Sequence, residues 1–476
     1  MIESFIHATE HNNLYLYDDK HALSLLIHPD FRKAHEKSSD VDLYYLDKYK
    51  YFRKHGFLSK FEYAVFGSID ESQVKNNIDQ TNQIAFETTD SCNLNCTYCG
   101  FGELYEGFDE RNQKKINTRN AIILLKYIFD QKYKSNNNKL NIGFYGGEPL
   151  LNFLFIKRIV EVSKQLNIEK ELDLDYSMTT NATLIHKHIN FLVANQFRLL
   201  ISLDGNEKNH SYRIFGKSKK NSFSKVIENL DMIQRDYPVY FANNVIFNAV
   251  LHDRNSVKDI FEFIYTRYHK IPRISELNSC YLNAEQKNIF EKIYHSKRKS
   301  EDEYLMEESD LSHITRQESI IYNELWILLK YYSVNFYVSN ITALLYDKEN
   351  YYPTSTCLPF GKNIFLTNRN KLLPCEKVSN EKYSMGTVNK EVIIDIPEIT
   401  RLYNSYIHHL EKVCKYCYAY KFCGICMFQI NNLDKLDKED FICDIFFDQK
   451  AFQKKMFRIF SYLEKYPDDF SKILKI

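Results

Sequence analysis

The segment Ser91–Gly100, SCNLNCTYCG, decides how the rest of the chain is read. It places Cys92, Cys96 and Cys99 in a C-x3-C-x2-C spacing. Three thiolates on one short loop can hold three irons of a [4Fe–4S] cluster and leave the fourth iron without a protein ligand. Such an open iron can chelate a small molecule and pass it an electron. A zinc site short of one ligand, or three plain buried cysteines, would show the same spacing.

Outward from this loop the pattern is strand, helix, strand. Apolar runs at Ile84–Glu87, Leu140–Tyr145, Leu172–Met178, Leu199–Leu203, Asn244–Leu251 and Ile274–Leu282 read as strands. Helical stretches at Thr118–Gln131, Phe153–Gln165, His186–Asn195, Ser224–Asp236 and Ser256–Tyr268 separate them. This alternation predicts an α/β fold with a parallel sheet. Six units suit a partial (β/α)6 TIM-like barrel, since eight would need more chain. The second strand runs into Gly146-Gly147-Glu148-Pro149. Two glycines let a ligand approach the backbone, and Glu148 offers a carboxylate to an ammonium group. Both motifs follow parallel strands, so both belong at one mouth of the sheet.

The chain has 476 residues, enough for roughly three domains at about 150 residues each. With 63 Lys+Arg against 62 Asp+Glu, bulk charge does not suit a protein that coats nucleic acid or a membrane. A 44% hydrophobic, 26% charged composition is globular. The start shows no signal segment and no window approaches a membrane span, so a cytoplasmic chain is expected. Clustered thiols there more often bind metal than form disulfides, and a count of 11 cysteines fits a disulfide framework poorly.

Four regions are expected. Residues 1–80 read as a small α+β module, with a hairpin of Asn13–Tyr17 and Ala22–Ile27 and a helix capped at Ser39-Asp40. Its polar end, Gln73–Asn82, reads as a linker. The barrel occupies 81–290. A connector follows over 291–344, with a charged run at Ser296–Asp310 and a helix near Gln317–Tyr332. The Cys-rich end, 345–476, closes with an amphipathic helix over Phe446–Tyr466.

With these motifs in place, residues Gln83–Leu282 resemble the radical S-adenosylmethionine (radical SAM) superfamily. The resemblance implies that the open iron binds the amino and carboxylate groups of SAM, and that reduction releases a 5′-deoxyadenosyl radical that abstracts hydrogen from unactivated carbon. It implies an external low-potential electron donor. Tyr98 matches the aromatic residue usual before the last cysteine. Glu148, after Gly146 and Gly147, matches the contact to the methionine amino group, and Asn181 ends the third-strand motif. Ser202, in the run Ile201–Gly205, falls near the ribose or methionyl part. Arg213, after His210, takes the place of an arginine that pairs with the SAM carboxylate.

The later cysteines run Cys357-x17-Cys375, then Cys414-x2-Cys417-x5-Cys423-x2-Cys426-x16-Cys443. Paired C-x2-C units are a strong metal signal, with a zinc ribbon as the plain alternative. Seven cysteines exceed one tetrahedral site. The region resembles the SPASM domain, which implies two auxiliary [4Fe–4S] clusters and three in all. Carried over, Cys414, Cys417, Cys423 and Cys443 hold one cluster, and Cys357, Cys375 and Cys426 the other. Asn370 stands where a glycine is usual, and can still take a left-handed turn. The x2 gap leaves open which of Cys423 and Cys426 serves which cluster. Cys280 is expected to be a buried strand thiol. Glu376 takes the place of an acidic catalytic base in sulfatase-maturing relatives.

A module in front of such domains resembles the leader-recognition element of ribosomal-peptide maturases, which binds a precursor's leader as an added edge strand. The expectation is therefore a radical SAM peptide maturase making a crosslink, thioether or epimerised residue in a ribosomally made precursor peptide. The alternatives are an anaerobic sulfatase-maturing (formylglycine-generating) enzyme and, in another class, a non-catalytic zinc-binding scaffold. Neutral charge argues against a nucleic-acid partner.

Overall fold

A computed structural model describes residues 3–19, 23–58, 66–106, 111–133, 138–307, 324–325, 352–378, 383–420, 423–430, 433, 441, 443 and 446–468. The helix expected near Gln317–Tyr332 lies almost wholly outside the described residues. The chain divides into two compact units. One gathers 1–68, 315–356 and 403–476, and the other 69–314 and 357–402.

In the first unit, strands β1 (Phe5–Ala8), β2 (Leu14–Asp18) and β3 (Leu23–Ile27) form an antiparallel sheet in chain order. The expected hairpin is β2–β3, and β1 is an addition to it. Helices Pro29–His35 and Leu43–Lys54 follow. The second starts at Asp42, which accepts the Tyr44 N–H at 2.8 Å, and not at the expected Ser39-Asp40. The terminal helix spans Gln449–Lys465, with Phe452, Met456, Ile459 and Phe460 on one stripe. That stripe shares a core with Phe5, Tyr17 and Tyr418, so the two ends of the chain build one unit.

The second unit holds β4 (Gln83–Glu87), β5 (Leu94–Cys96), β6 (Lys139–Tyr145), β7 (Asp173–Thr180), β8 (Arg198–Ser202), β9 (Arg213–Phe215), β10 (Val245–Val250) and β11 (Arg273–Ser275). It also holds β12 (Ile364–Leu366), β13 (Lys371–Leu373), β14 (Gly386–Val388) and β15 (Val392–Ile393). Ten of these strands form one sheet in the order β11-β10-β8-β7-β6-β4-β12-β13-β14-β15. The first seven are mutually parallel, and β12 to β15 continue as an antiparallel run. Six sequential parallel strands, each separated by helix, are what the alternating pattern predicted. β11 is shorter than expected, which puts the buried Cys280 in the bend after it and not on a strand.

Burial alternates along β7, β8 and β10, while β6 is buried nearly throughout. Ile142, Phe144, Leu199, Ile201, Val245 and Phe247 are buried, and Phe144 and Phe86 meet Phe155 of the helix Phe153–Lys170. Ser177, Ser202 and Asn248, at the alternate positions of β7, β8 and β10, are only half-buried. This polar face ends in the residues considered below.

Two charged or polar segments read as connectors are helices. Glu71–Gln80 begins with a capping box between Asp70 and Gln73 and buries Val74 and Ile78, one turn apart. Lys297–Glu307 buries Ser300, Glu301 and Tyr304 and packs on the helix Val257–Tyr268. Burial of a few i,i+3 or i,i+4 side chains outweighs a polar composition.

Candidate active site

Beyond the end of β4 the chain stays paired with the end of β6. Thr88 N–H donates to Tyr145 O at 2.9 Å, Gly147 N–H to Thr89 O at 2.8 Å, and Glu148 N–H to Ser91 O at 2.8 Å. The stem of the cysteine loop thus lies on the Gly146-Gly147 backbone. A Cβ on Gly146 would stand 2.3 Å from Thr89 O, and one on Gly147 2.0 Å from Ser91 O. Gly146 also has φ +125°. What approaches these glycines is the chain's own loop stem, where the sequence had suggested a ligand.

Glu148 is 1% exposed. One of its oxygens accepts Leu150 N–H at 3.1 Å and the Thr180 hydroxyl at 2.8 Å. The other accepts Asn181 N–H at 2.8 Å. Burial pushes its pKa up to about 7, against the pull of these hydrogen bonds. Asn181 in turn donates to Asn93 Oδ1 at 2.9 Å and approaches Cys92 Sγ at 3.7 Å. Three sequence-predicted groups, Gly146-Gly147-Glu148, Asn181 and Cys92, therefore meet in one place.

The far side of the loop is held differently. β5 pairs with β9 so that Cys96 faces Arg213 across the ladder. The Arg213 guanidinium is bidentate to Asp204, at 2.9 and 3.0 Å. Asp204 also accepts Val250 N–H at 3.0 Å and the Tyr98 hydroxyl. Burial alone would raise the Asp204 pKa, but Arg213, with His252 beside it, holds the carboxylate well below its usual range. Ser202 sits two residues upstream, half-buried, opposite Asn248 in the β8–β10 register. Sequence reasoning missed Asp204, although a carboxylate at the end of an apolar strand, nine residues before an arginine, is a readable signal.

Among the described residues no three His, Cys, Asp or Glu side chains converge on one metal-ion position. A mononuclear zinc ion needs its thiolates around a single point, within about 2.3 Å. A [4Fe–4S] cluster takes one thiolate per iron, so its ligands surround it without converging. Cys92, Cys96 and Cys99 lie within electrostatic range of one another. Cys92 is exposed and Cys96 half-buried as residues, yet desolvation of their sulfurs pushes the thiols up to about 11 and about 12, so ligation there must supply the charge that favours thiolate.

Across the same unit, Glu376 follows β13 and accepts Asn363 Nδ2 at 3.1 Å. Tyr145 lies within electrostatic range of Glu376, Cys99 and Cys375, and its phenol pKa is raised first by burial and then by these groups. Asn370 adopts φ +66° in the turn between β12 and β13, the left-handed geometry expected of it. Cys357 is exposed and Cys375 half-buried.

In the first unit, Cys414 closes the helix Ile396–Cys414. Burial, then Cys423, Cys417 and Cys443 beside it, push its thiol up. Cys423, raised to about 11, has Cys417 and Cys443 as its neighbours. Cys414 and Cys423 thus each lie within electrostatic range of Cys417 and Cys443. Cys426 starts the short turn Met427–Gln429.

Residues 86–264 match the radical SAM superfamily. The chain carries a radical SAM domain. The chain is 29% identical over 192 residues to the radical SAM cyclopropyl synthase TigE of Paramaledivibacter caminithermalis, covering 39% of this chain and 37% of that protein. It is 28% identical over 177 residues to the cysteine-type anaerobic sulfatase-maturating enzyme of Clostridium novyi, covering 36% and 45%. These two relatives are thus matched over less than half their length. A second cysteine-type sulfatase-maturating enzyme, from Clostridium perfringens strain 13, is 23% identical over 341 residues, or 70% of this chain and 84% of that one. The solved structure of native anSMEcpe with bound AdoMet and Kp18Cys peptide superposes with a TM-score of 0.56 at 19% identity, over 83% of this chain and 99% of that one. That likeness shows a shared α/β fold built on a large, mostly parallel sheet. Radical SAM domains imply SAM and one [4Fe–4S] cluster. No helix among the described residues is long and apolar enough to cross a membrane.

Proposed function

We propose that the chain is a radical SAM maturase that modifies a ribosomally synthesised precursor peptide. The observation that carries this reading is the buried Glu148 carboxylate, docked by its backbone on the stem of the Cys92–Cys99 loop. Cys92, Cys96 and Cys99 would hold a [4Fe–4S] cluster there. With SAM bound, the cluster would supply a hydrogen-abstracting adenosyl radical. Glu148 takes an ammonium group, and Asn181 and Ser202 offer polar contacts beside it. In the resemblance Arg213 meets the SAM carboxylate, while its Nε and Nη2 pair with Asp204. Glu376, oriented by Asn363, removes a proton from the substrate.

The four gathered thiols Cys414, Cys417, Cys423 and Cys443 support one SPASM-type auxiliary cluster. Cys357, Cys375 and Cys426 would serve a second, for three clusters in all, fed by an external low-potential donor. Similarity to a cyclopropyl synthase and the three-stranded N-terminal sheet favour a peptide maturase. An outer strand of that sheet, β1 or β3, would offer its edge to a leader segment. A sulfatase-maturing activity is the second reading, favoured by the 84% coverage of the Clostridium perfringens enzyme.

Anaerobic iron and sulfide analysis is the first test, with about 12 Fe per chain expected from three clusters. Zinc without sulfide would end the enzyme reading. Mass spectrometry of co-expressed peptides is the second. Loss of two hydrogens from a short precursor supports the maturase. Formylglycine in a sulfatase-derived peptide, with no change in any precursor, supports the alternative.

A further inference from the structure

Asp204 lies 0% exposed at the mouth of the sheet, a place where a lone carboxylate would be costly. Its donors come from three separate segments. Tyr98, inside the cysteine loop, donates its hydroxyl. Arg213, on the strand paired with that loop, donates from Nε and Nη2. Val250, at the end of β10, donates its backbone N–H. The Arg213 guanidinium carbon also sits 5.4 Å from the Tyr98 ring centroid, and the Tyr98 ring stacks on His252 at 5.5 Å. The loop is therefore attached twice to one buried ion pair. Cys96 is held through the backbone ladder to Arg213, and Tyr98 through its side chain to Asp204.

We infer that Asp204 and Arg213 are positioning residues that hold the Leu94–Cys99 segment in its cluster-accepting conformation. Arg213 acts within the protein, through its fixed two-pronged geometry. A guanidinium fork suits that task because it fixes an angle as well as a distance. Cluster retention by this loop rests on the reading proposed above; the order of the loop itself does not.

The experiment has two readouts, both on the full chain. In the metal-free protein, hydrogen–deuterium exchange at residues 93–99 and 213–216 should rise at least tenfold in Asp204→Asn and in Arg213→Lys. The strands β6 and β7 should keep their wild-type protection. After anaerobic reconstitution, both variants should lose about four Fe per chain relative to wild type. Should Asp204→Asn not fold, Tyr98→Phe removes one donor without stranding a charge, and should release loop iron to a chelator several-fold faster. Unchanged exchange in the loop of both substitutions would overturn the inference. So would wild-type iron content in Arg213→Lys with only SAM affinity reduced. A wild-type chain that binds no iron, yet loses loop protection on substitution, would instead overturn the cluster reading and leave the positioning role standing.

Discussion

Gly147 and Ser91 touch backbone to backbone: a methyl group on Gly147 would stand 2.0 Å from the Ser91 carbonyl oxygen. No flexible side chain can yield there. The contact sets the loop stem on β6, and with it the distance between the cysteines and Glu148. Gly147→Ala should therefore destabilise the chain by about 2–3 kcal/mol and lower the iron held by the loop. Gly100→Ala is the control, because a Cβ there meets nothing within 4 Å. Its effect on urea unfolding should stay within about 0.5 kcal/mol.

Glu148 makes stability depend on pH in an uncommon direction for a carboxylate. Burial raises its pKa from 4.5 to about 7, so the folded chain binds a proton more readily than the unfolded one. The contribution is fully present below about pH 4.5 and is lost as pH rises through 7. Its size is on the order of 3 kcal/mol. Urea titrations of wild type and Glu148→Gln at pH 5 and pH 8 should show the difference, since other titrating groups cancel between them. Saturating SAM should flatten the wild-type slope, because an ammonium beside Glu148 favours the ionised form. An equal slope in both proteins would remove Glu148 from this role.

The four gathered thiols make a separable prediction. Cys423→Ser and Cys443→Ser should each lose about four Fe per chain, and the double variant no more than either alone. Cys426→Ser should add its loss to theirs. Additive losses for Cys423 and Cys443 would place them in different centres.

Glu376 is tested by turnover. Glu376→Gln should lower product yield by about a hundredfold while iron content and SAM cleavage stay near wild type. Asn363→Ala should lower it less, because it removes only the hydrogen bond that orients the carboxylate. Unchanged yield in Glu376→Gln removes the residue from the mechanism.

Much of this was legible because it is local. The six strands and their helices follow from apolar periodicity, and the cysteine loop from ten adjacent residues. Asn370 could be read as a left-handed turn because it stands where the resemblance places a glycine. The helices Glu71–Gln80 and Lys297–Glu307 were not legible. Their sequences are polar, and the few side chains they bury become visible only once another helix or strand covers them. The glycines of Gly146-Gly147 were read correctly as a place of close approach, but what approaches them could not be known.

By itself, then, the sequence determined the order of elements and the spacing of the thiols, and therefore the kinds of chemistry open to the chain. Only the tertiary structure decided that Asp204 serves both Tyr98 and Arg213. Tyr98 and Asp204 are 106 residues apart. Which buried donor meets which carboxylate across such a distance depends on sheet register and on the path of each loop, and no local propensity encodes either.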